Sequence, residues 1–301
     1  MTKAGYVAII GKPNVGKSTL LNVLLGQKIS ITTSKPQTTR KRILGILSAE
    51  KYQIIFLDTP GILAPAYLLQ EKMMEEVEQS VQDADIIILI LDLIEDPDGL
   101  KTLQNDFTYK LFMRVKKPKI LLLNKIDLTS QEHVKLLMNK INSTQKFEKI
   151  IPVSALEKFN IQQIVDSIVE LLPQNPKFFP DDIVSDENER FFVSEIIREK
   201  IFELYQEEIP YSCEVVIQEF KEVEGRKDLI QAEIFVEKDS QKGILIGKQG
   251  AAIKKVGEDA RQSIEEFLQR PVFLELRVKV KEKWRSDENV LKSLGYTKWK
   301  E

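Results

Sequence analysis

The chain has 301 residues, 43% hydrophobic and 30% charged: enough for two domains of roughly 100–200 residues, and too apolar to be mostly disordered. Its 44 basic and 46 acidic residues leave a net charge of −2, so overall charge points to no partner. One cysteine (Cys213) and one histidine (His133) exclude disulfide scaffolds, zinc fingers and chemistry that needs two histidines, and suit a reducing, intracellular compartment. Residues 1–11 lack a signal-peptide pattern and read as a strand. The longest apolar run, 86–91, is far short of the roughly 20 residues that span a bilayer. A cytoplasmic location is therefore expected.

Up to residue 172, apolar runs at 6–10, 43–47, 52–57, 86–91, 120–123 and 150–153 read as strands buried on both faces of a sheet. Amphipathic stretches at 72–82, 100–115, 131–142 and 161–172 alternate with them. This alternation predicts an α/β domain with a mostly parallel, doubly wound sheet over residues 1–172. The run at 43–47 has a strand candidate close by, with no room for a crossover helix, so one antiparallel edge pair is expected. Residues 173–187 carry Pro173, Pro176 and Pro180 and then acidic residues, and read as an interdomain linker.

A second, smaller α+β domain is expected over 188–301. Residues 188–205 read as a helix with an apolar stripe of Phe191, Phe192, Ile196, Ile197, Ile201 and Leu204. Strands at 214–222 and 229–237 form a hairpin about Glu224-Gly225. A glycine-punctuated helix pair at 241–268, a strand at 272–280 and a short helix at 288–294 complete the order α-β-β-α-α-β. Residues 177–239 hold 8 basic and 18 acidic residues, whereas 242–285 hold 11 basic and 6 acidic. A near-neutral chain thus contains a basic segment able to meet a polyanion, although charge bias alone more often marks a solvated face.

Four short motifs carry the chemistry. Gly11-Lys12-Pro13-Asn14-Val15-Gly16-Lys17-Ser18 fits the phosphate-binding loop G-x-x-x-x-G-K-[ST], between a strand and a helix. Backbone N–H groups from Gly11 to Thr19 face the phosphates at a helix N-terminus, Lys17 supplies a point charge, and the Ser18 hydroxyl ligates magnesium. Asn124-Lys125-Ile126-Asp127 follows a strand at the carboxyl end of the sheet. The Asp127 carboxylate accepts from guanine N1–H and N2–H2, which adenine cannot offer; Asn124 bridges base and phosphate loop, and the Lys125 stem covers the purine. Asp58-Thr59-Pro60-Gly61 ends a strand, placing Asp58 on magnesium through water and the Gly61 N–H on the γ-phosphate. Ser154-Ala155-Leu156 ends another, with the Ala155 N–H toward guanine O6. The phosphate loop is specific by itself, whereas Asn124–Asp127 and Ser154–Leu156 are weak alone; in this order the four describe a GTP and GDP site. Within Gln37-Thr38-Thr39-Arg40, Thr39 is the threonine expected to close on magnesium.

In these residues the sequence resembles the TRAFAC-class GTPases and, within them, the bacterial Era family. The resemblance spans essentially the whole chain, through Gly247-Lys248-Gln249-Gly250 to Trp284-Arg285 and Leu294-Gly295-Tyr296. It implies a small-subunit (30S) ribosome assembly factor whose C-terminal type II KH domain seeks the 3′ end of 16S rRNA. The residues agree with that. Glycines flank the Lys248-Gln249 tip so that an RNA backbone can lie close, with Ile244, Ile246 and Ile253 as surfaces for bases. Ile62 stands where a Ras-like GTPase has a water-orienting glutamine, so slow intrinsic hydrolysis is expected. Asn14 lies where related GTPases resemble one another in holding potassium, and is equally readable as a turn residue. The family's Pro-Lys after the Gly61 loop is here Pro65-Ala66.

Three other readings compete with a monomeric, RNA-binding GTPase switch. One is a GTPase of tRNA modification or of the large subunit, in which Gly247–Gly250 has no place. The others are an RNA scaffold with structural nucleotide, and a signalling GTPase peripheral to the inner membrane.

Overall fold

The apolar runs of the first half become a six-stranded sheet. The computed structural model describes residues 2–103 and 107–296. In chain order the first half contains β1 (Lys3–Ile10), α1 (Lys17–Leu25), β2 (Ile43–Ser48), β3 (Tyr52–Asp58), α2 (Leu68–Asp83), β4 (Ile86–Asp92), α3 (Leu100–Leu103), α4 (Phe107–Arg114), β5 (Lys119–Asn124), α5 (Gln131–Asn142), β6 (Lys149–Pro152) and α6 (Ile161–Leu171). Of the stretch expected to be helical at 100–115, α3 and α4 are described, and residues 104–106 lie outside the described residues. Strand order is β2-β3-β1-β4-β5-β6. All neighbours are parallel except β2 with β3, the expected antiparallel edge pair. Every residue of β4 and β5 is buried, as continuous Ile/Leu runs require when both faces of a sheet are covered. Each such side chain contributes about 1.5–3 kcal/mol relative to an exposed one.

The chain divides into two units, and the division cuts across the sequence domains. The first holds Met1–Ser30, Thr39–Pro65 and Met73–Asp186; the second holds Ile31–Thr38, Ala66–Lys72 and Glu187–Glu301. Residues 173–186, expected as linker, instead belong to the first unit. The reason is a set of hydrogen bonds that composition does not reveal. Gln53, fully buried in β3, accepts the N–H groups of Phe178 (2.8 Å) and Phe179 (3.0 Å) and donates to the Phe179 carbonyl (2.8 Å). The Ile46 N–H of β2 donates to the Val184 carbonyl (2.7 Å), and the Ser185 hydroxyl to the Leu44 carbonyl (2.7 Å).

In the second unit, α7 (Glu189–Leu204) starts at Asn188, whose side chain accepts the Phe191 N–H (3.0 Å), a helix cap. Then come α8 (Ile209–Ser212), β7 (Glu214–Lys221), β8 (Asp228–Val236), α9 (Asp239–Ile246), α10 (Ala251–Leu268), β9 (Val272–Val280) and α11 (Glu288–Ser293). The α-β-β-α-α-β order is present, with α8 added; four residues are too few to show a helical period. β8 pairs antiparallel with β7 and parallel with β9. Of the expected stripe of α7, Ile197 and Ile201 are fully buried beside Val193, Phe192 is buried and Ile196 packs against the core, while Leu204 is 40% exposed. That stripe packs against Val256, Ala260 and Ile264 of α10. Among the described residues, no helix is long and apolar enough to cross a membrane.

Candidate functional site

The phosphate-loop motif folds as a turn between β1 and α1. Gly16 precedes the helix with φ 99°, a conformation open to glycine, and a Cβ there would lie 2.4 Å from the Asn124 amide nitrogen. Val15 is buried, Thr19 is half-buried, and Asn14 is exposed with φ 63°, as a turn residue would be. Lys17 is buried, and its ammonium donates to the carbonyls of Lys12 (2.9 Å) and Gly11 (3.3 Å). Burial lowers its pKa to about 8, against the opposing pull of the Asp58 carboxylate.

Three oxygen-bearing residues from separate segments meet beside it. The Ser18 hydroxyl lies 2.9 Å from the Thr39 hydroxyl and donates to Asp58 Oδ2 (2.8 Å). Thr39 is 6% exposed and Asp58 fully buried. Burial raises the Asp58 pKa; Lys17, the hydroxyls of Ser18 and Ser30 and the Thr59 backbone N–H oppose that rise. Asp58 Oδ1 is buried without a hydrogen-bond partner. An unpartnered carboxylate oxygen beside two hydroxyls is a set of hard oxygen donors that fits magnesium. Gly61 is buried, and the next N–H, that of Ile62, donates to the Gly11 carbonyl (3.0 Å). Ile62 is itself 4% exposed and brings no polar group to the loop.

The base-reading motifs join the same unit. The Asn124 side chain donates to the Val15 carbonyl (2.7 Å) and accepts the Ala155 N–H (3.0 Å), so one buried amide ties three of the four motifs. Lys125 has φ 66° and its ammonium pairs with Asp92 at the end of β4 (2.5 Å), while Asp127 is exposed. Ser154 and Ala155 are buried; Leu156 is 75% exposed. Sequence reasoning missed Ser30 and Asp92, both buried and polar, because neither belongs to a motif.

In the second unit, α9 ends at Ile246 and the chain turns through Gly247 (φ 72°), Lys248, Gln249 (φ 52°) and Gly250 (φ 78°) into α10. Lys248, Gln249 and Ile244 are exposed. Ile246 and Ile253 are half-buried, and Ile253 packs on the core, so Ile244 offers the most open apolar surface. The basic character of α10 is reduced by pairs within the helix, Lys255 with Asp259 (2.7 Å) and Arg261 with Glu265 (3.0 Å).

Two family models match the chain: one described as a 50S ribosome-binding GTPase over residues 6–125, and one described as a KH domain over residues 208–285. GTPase Era of Clostridium botulinum (strain Okra / Type B1) is 43% identical over 300 residues, covering 100% of both chains. GTPase Era of Geobacter sp. (strain M21) is 46% identical over 294 residues, covering 98% of each. A crystal structure of Era in complex with MgGDPNP and nucleotides 1506–1542 of 16S ribosomal RNA aligns with a TM-score of 0.91 and 41% identity, over 99% of this chain and 100% of that one. A structure of an Aquifex aeolicus Era variant bound to GDP.AlF4- aligns equally well, with a TM-score of 0.91.

Proposed function

The chain belongs to the Era family of GTPases, and on that premise we propose that it is a GTP-binding and GTP-hydrolysing switch that binds 16S rRNA near its 3′ end through its KH domain and acts in assembly of the 30S subunit. The observation that carries the nucleotide half is the Asn124 amide, which draws the phosphate loop and the base-reading loops into one site. The turn from Gly247 to Gly250, between two helices of the second unit, supports the RNA half.

Each role follows from position. The N–H groups around Gly16 and the Lys17 ammonium hold the phosphates, and the exposed Asp127 carboxylate receives the guanine N–H groups. Ser18, Thr39 and Asp58 would hold magnesium, which when bound neutralises charge on the phosphate oxygens. The Gly61 N–H would donate to the γ-phosphate. Ile62, buried and apolar, orients no water, so intrinsic turnover is slow. We place the activity of this monomer in the cytoplasm; no observation favours peripheral contact with the membrane.

The experiment is binding of a single-stranded RNA matching the 16S 3′ end, with GDP and with a non-hydrolysable GTP analogue. Tighter binding with the analogue, weakened in Lys248→Ala, establishes a GTP-gated clamp. Equal binding in both states leaves an RNA module beside a switch that addresses something else, and no binding refutes the RNA reading. Lys248 is the better variant because a Cβ on Gly247 would lie 2.6 Å from that of Ala252.

A further inference from the structure

The two carboxylate oxygens of Asp58 have unequal surroundings. Oδ2 accepts from the Ser18 hydroxyl (2.8 Å) and from the Ser30 hydroxyl (2.9 Å), whereas Oδ1 is buried without a partner. Ser18 belongs to the phosphate loop; Ser30 belongs to no nucleotide motif and lies past the end of α1.

The Ser30 position is fixed with unusual thoroughness. It is 2% exposed, and a single side chain of α1 clamps its backbone. Asn22 Oδ1 accepts the N–H groups of Ile29 (2.9 Å) and Ser30 (3.0 Å), and Asn22 Nδ2 donates to the Ser30 carbonyl (2.9 Å). The clamp satisfies all of the Ser30 backbone, and its hydroxyl is left aimed at Asp58. The Ser18 hydroxyl is a less dedicated donor. It has one proton, and both Asp58 and the Thr39 hydroxyl lie within reach.

We propose that Ser30 is a positioning residue for magnesium: its hydroxyl, set by Asn22, pins Oδ2 of Asp58 and so keeps Oδ1 in place for the hydration shell of the metal. The inference rests on the reading that Ser18, Thr39 and Asp58 hold magnesium. It separates two jobs within one carboxylate, one oxygen anchored to the protein and one reserved for the ion. A ligand that is already fixed loses little freedom on binding, so removal of the anchor weakens the metal more than the fold.

The test uses the full chain loaded with a fluorescent GDP analogue, and reads the magnesium concentration that half-suppresses its dissociation. Ser30→Ala is expected to need about tenfold more magnesium, the loss of one hydrogen bond to a charged group. Its nucleotide affinity in EDTA should be unchanged, and Ser30→Thr, which keeps the hydroxyl, should restore the wild-type requirement. An unchanged magnesium requirement in Ser30→Ala overturns the proposal. So does a loss of affinity equal in EDTA and in saturating magnesium, or one that Ser30→Thr fails to restore, since each assigns Ser30 to packing. Asp58→Asn distinguishes the underlying reading. If that variant also leaves the requirement unchanged, the magnesium site itself is wrong; if only Asp58→Asn shifts it, the Ser30 inference alone fails.

Discussion

The guanidinium of Arg198 in α7 donates to the Thr38 carbonyl at 2.5 Å, across 160 positions of sequence. Both residues belong to the second unit, and Arg198 is 2% exposed. Glu195 accepts from the same guanidinium (2.8 and 2.5 Å), and Nη1 stays buried without a hydrogen-bond partner. Nearby, Glu199 accepts the Thr32 N–H (3.2 Å), and the Lys35 ammonium donates to the carbonyls of Phe202 and Tyr205. Helix α7 thus holds the stretch that ends one residue before Thr39. Arg198→Ala should slow single-turnover hydrolysis by up to roughly a hundredfold, the scale of a misplacement of about 1 Å at a reacting centre. GDP affinity should stay unchanged, because GDP presents no γ-phosphate for Thr39 to close upon. Equal loss of both would show that Arg198 supports the fold instead.

Asn124→Ala is the severest single change expected in the nucleotide site. It strands the Val15 carbonyl and the Ala155 N–H, both buried. At about 1–3 kcal/mol for each unsatisfied group, the nucleotide-free protein should melt roughly 5–15 °C lower. Thermal unfolding without nucleotide measures this apart from the loss of binding.

Asp127→Asn should exchange base preference rather than abolish binding. A carboxylate only accepts, whereas an amide also donates; the variant loses the match to guanine N1–H and N2–H2 and gains a donor for the oxygen that xanthine carries at C2. Competition between GDP and XDP for the two proteins checks it, and a variant that still prefers GDP removes Asp127 from the base-reading role.

Lys17 carries a stability cost that depends on pH. Its folded pKa of about 8 lies below the usual 10.5. Below pH 8 the ammonium is charged in both states and its burial opposes folding. Between pH 8 and 10.5 the folded state loses the proton while the unfolded state keeps it, so stability rises with pH. Lys17→Met should therefore be more stable than wild type at pH 7 without nucleotide, by at most about 3–4 kcal/mol. The gap should narrow markedly by pH 10 and close only above pH 10.5, and nucleotide binding should be lost. Denaturant unfolding of both proteins at pH 7 and pH 10 decides this; a gap independent of pH removes Lys17 titration as the cause.

The parts of the fold that were legible in the sequence are those whose signal is local. Strands β4 and β5 are continuous apolar runs because both faces are buried, and the phosphate loop is a fixed string between a strand and a helix. The Thr39 hydroxyl, singled out from its local string, lies 2.9 Å from that of Ser18. The rest depends on contacts between distant positions. Gln53 reads as a polar interruption of a strand, yet it is fully buried because Phe178 and Phe179 bring it partners from 125 and 126 positions away. Asp92 reads as a strand end, and its pairing with Lys125 exists only once β4 and β5 lie side by side. Ser30, Asn22 and the grouping of Ile31–Thr38 with the second unit leave no mark in periodicity or spacing, because single polar side chains create them.

Residues 173–186 have a consequence for the solubility of the sheet. β2 is an outermost strand, and an uncovered outermost strand is a template for pairing with other molecules. Here Val184 and Ser185 occupy hydrogen-bonding positions along it. The tail of the first unit therefore acts as a guard against intermolecular strand addition. An isolated first half cut at Leu172 should self-associate as its concentration rises, whereas one cut at Asp186 should stay monodisperse, a difference that light scattering reads directly.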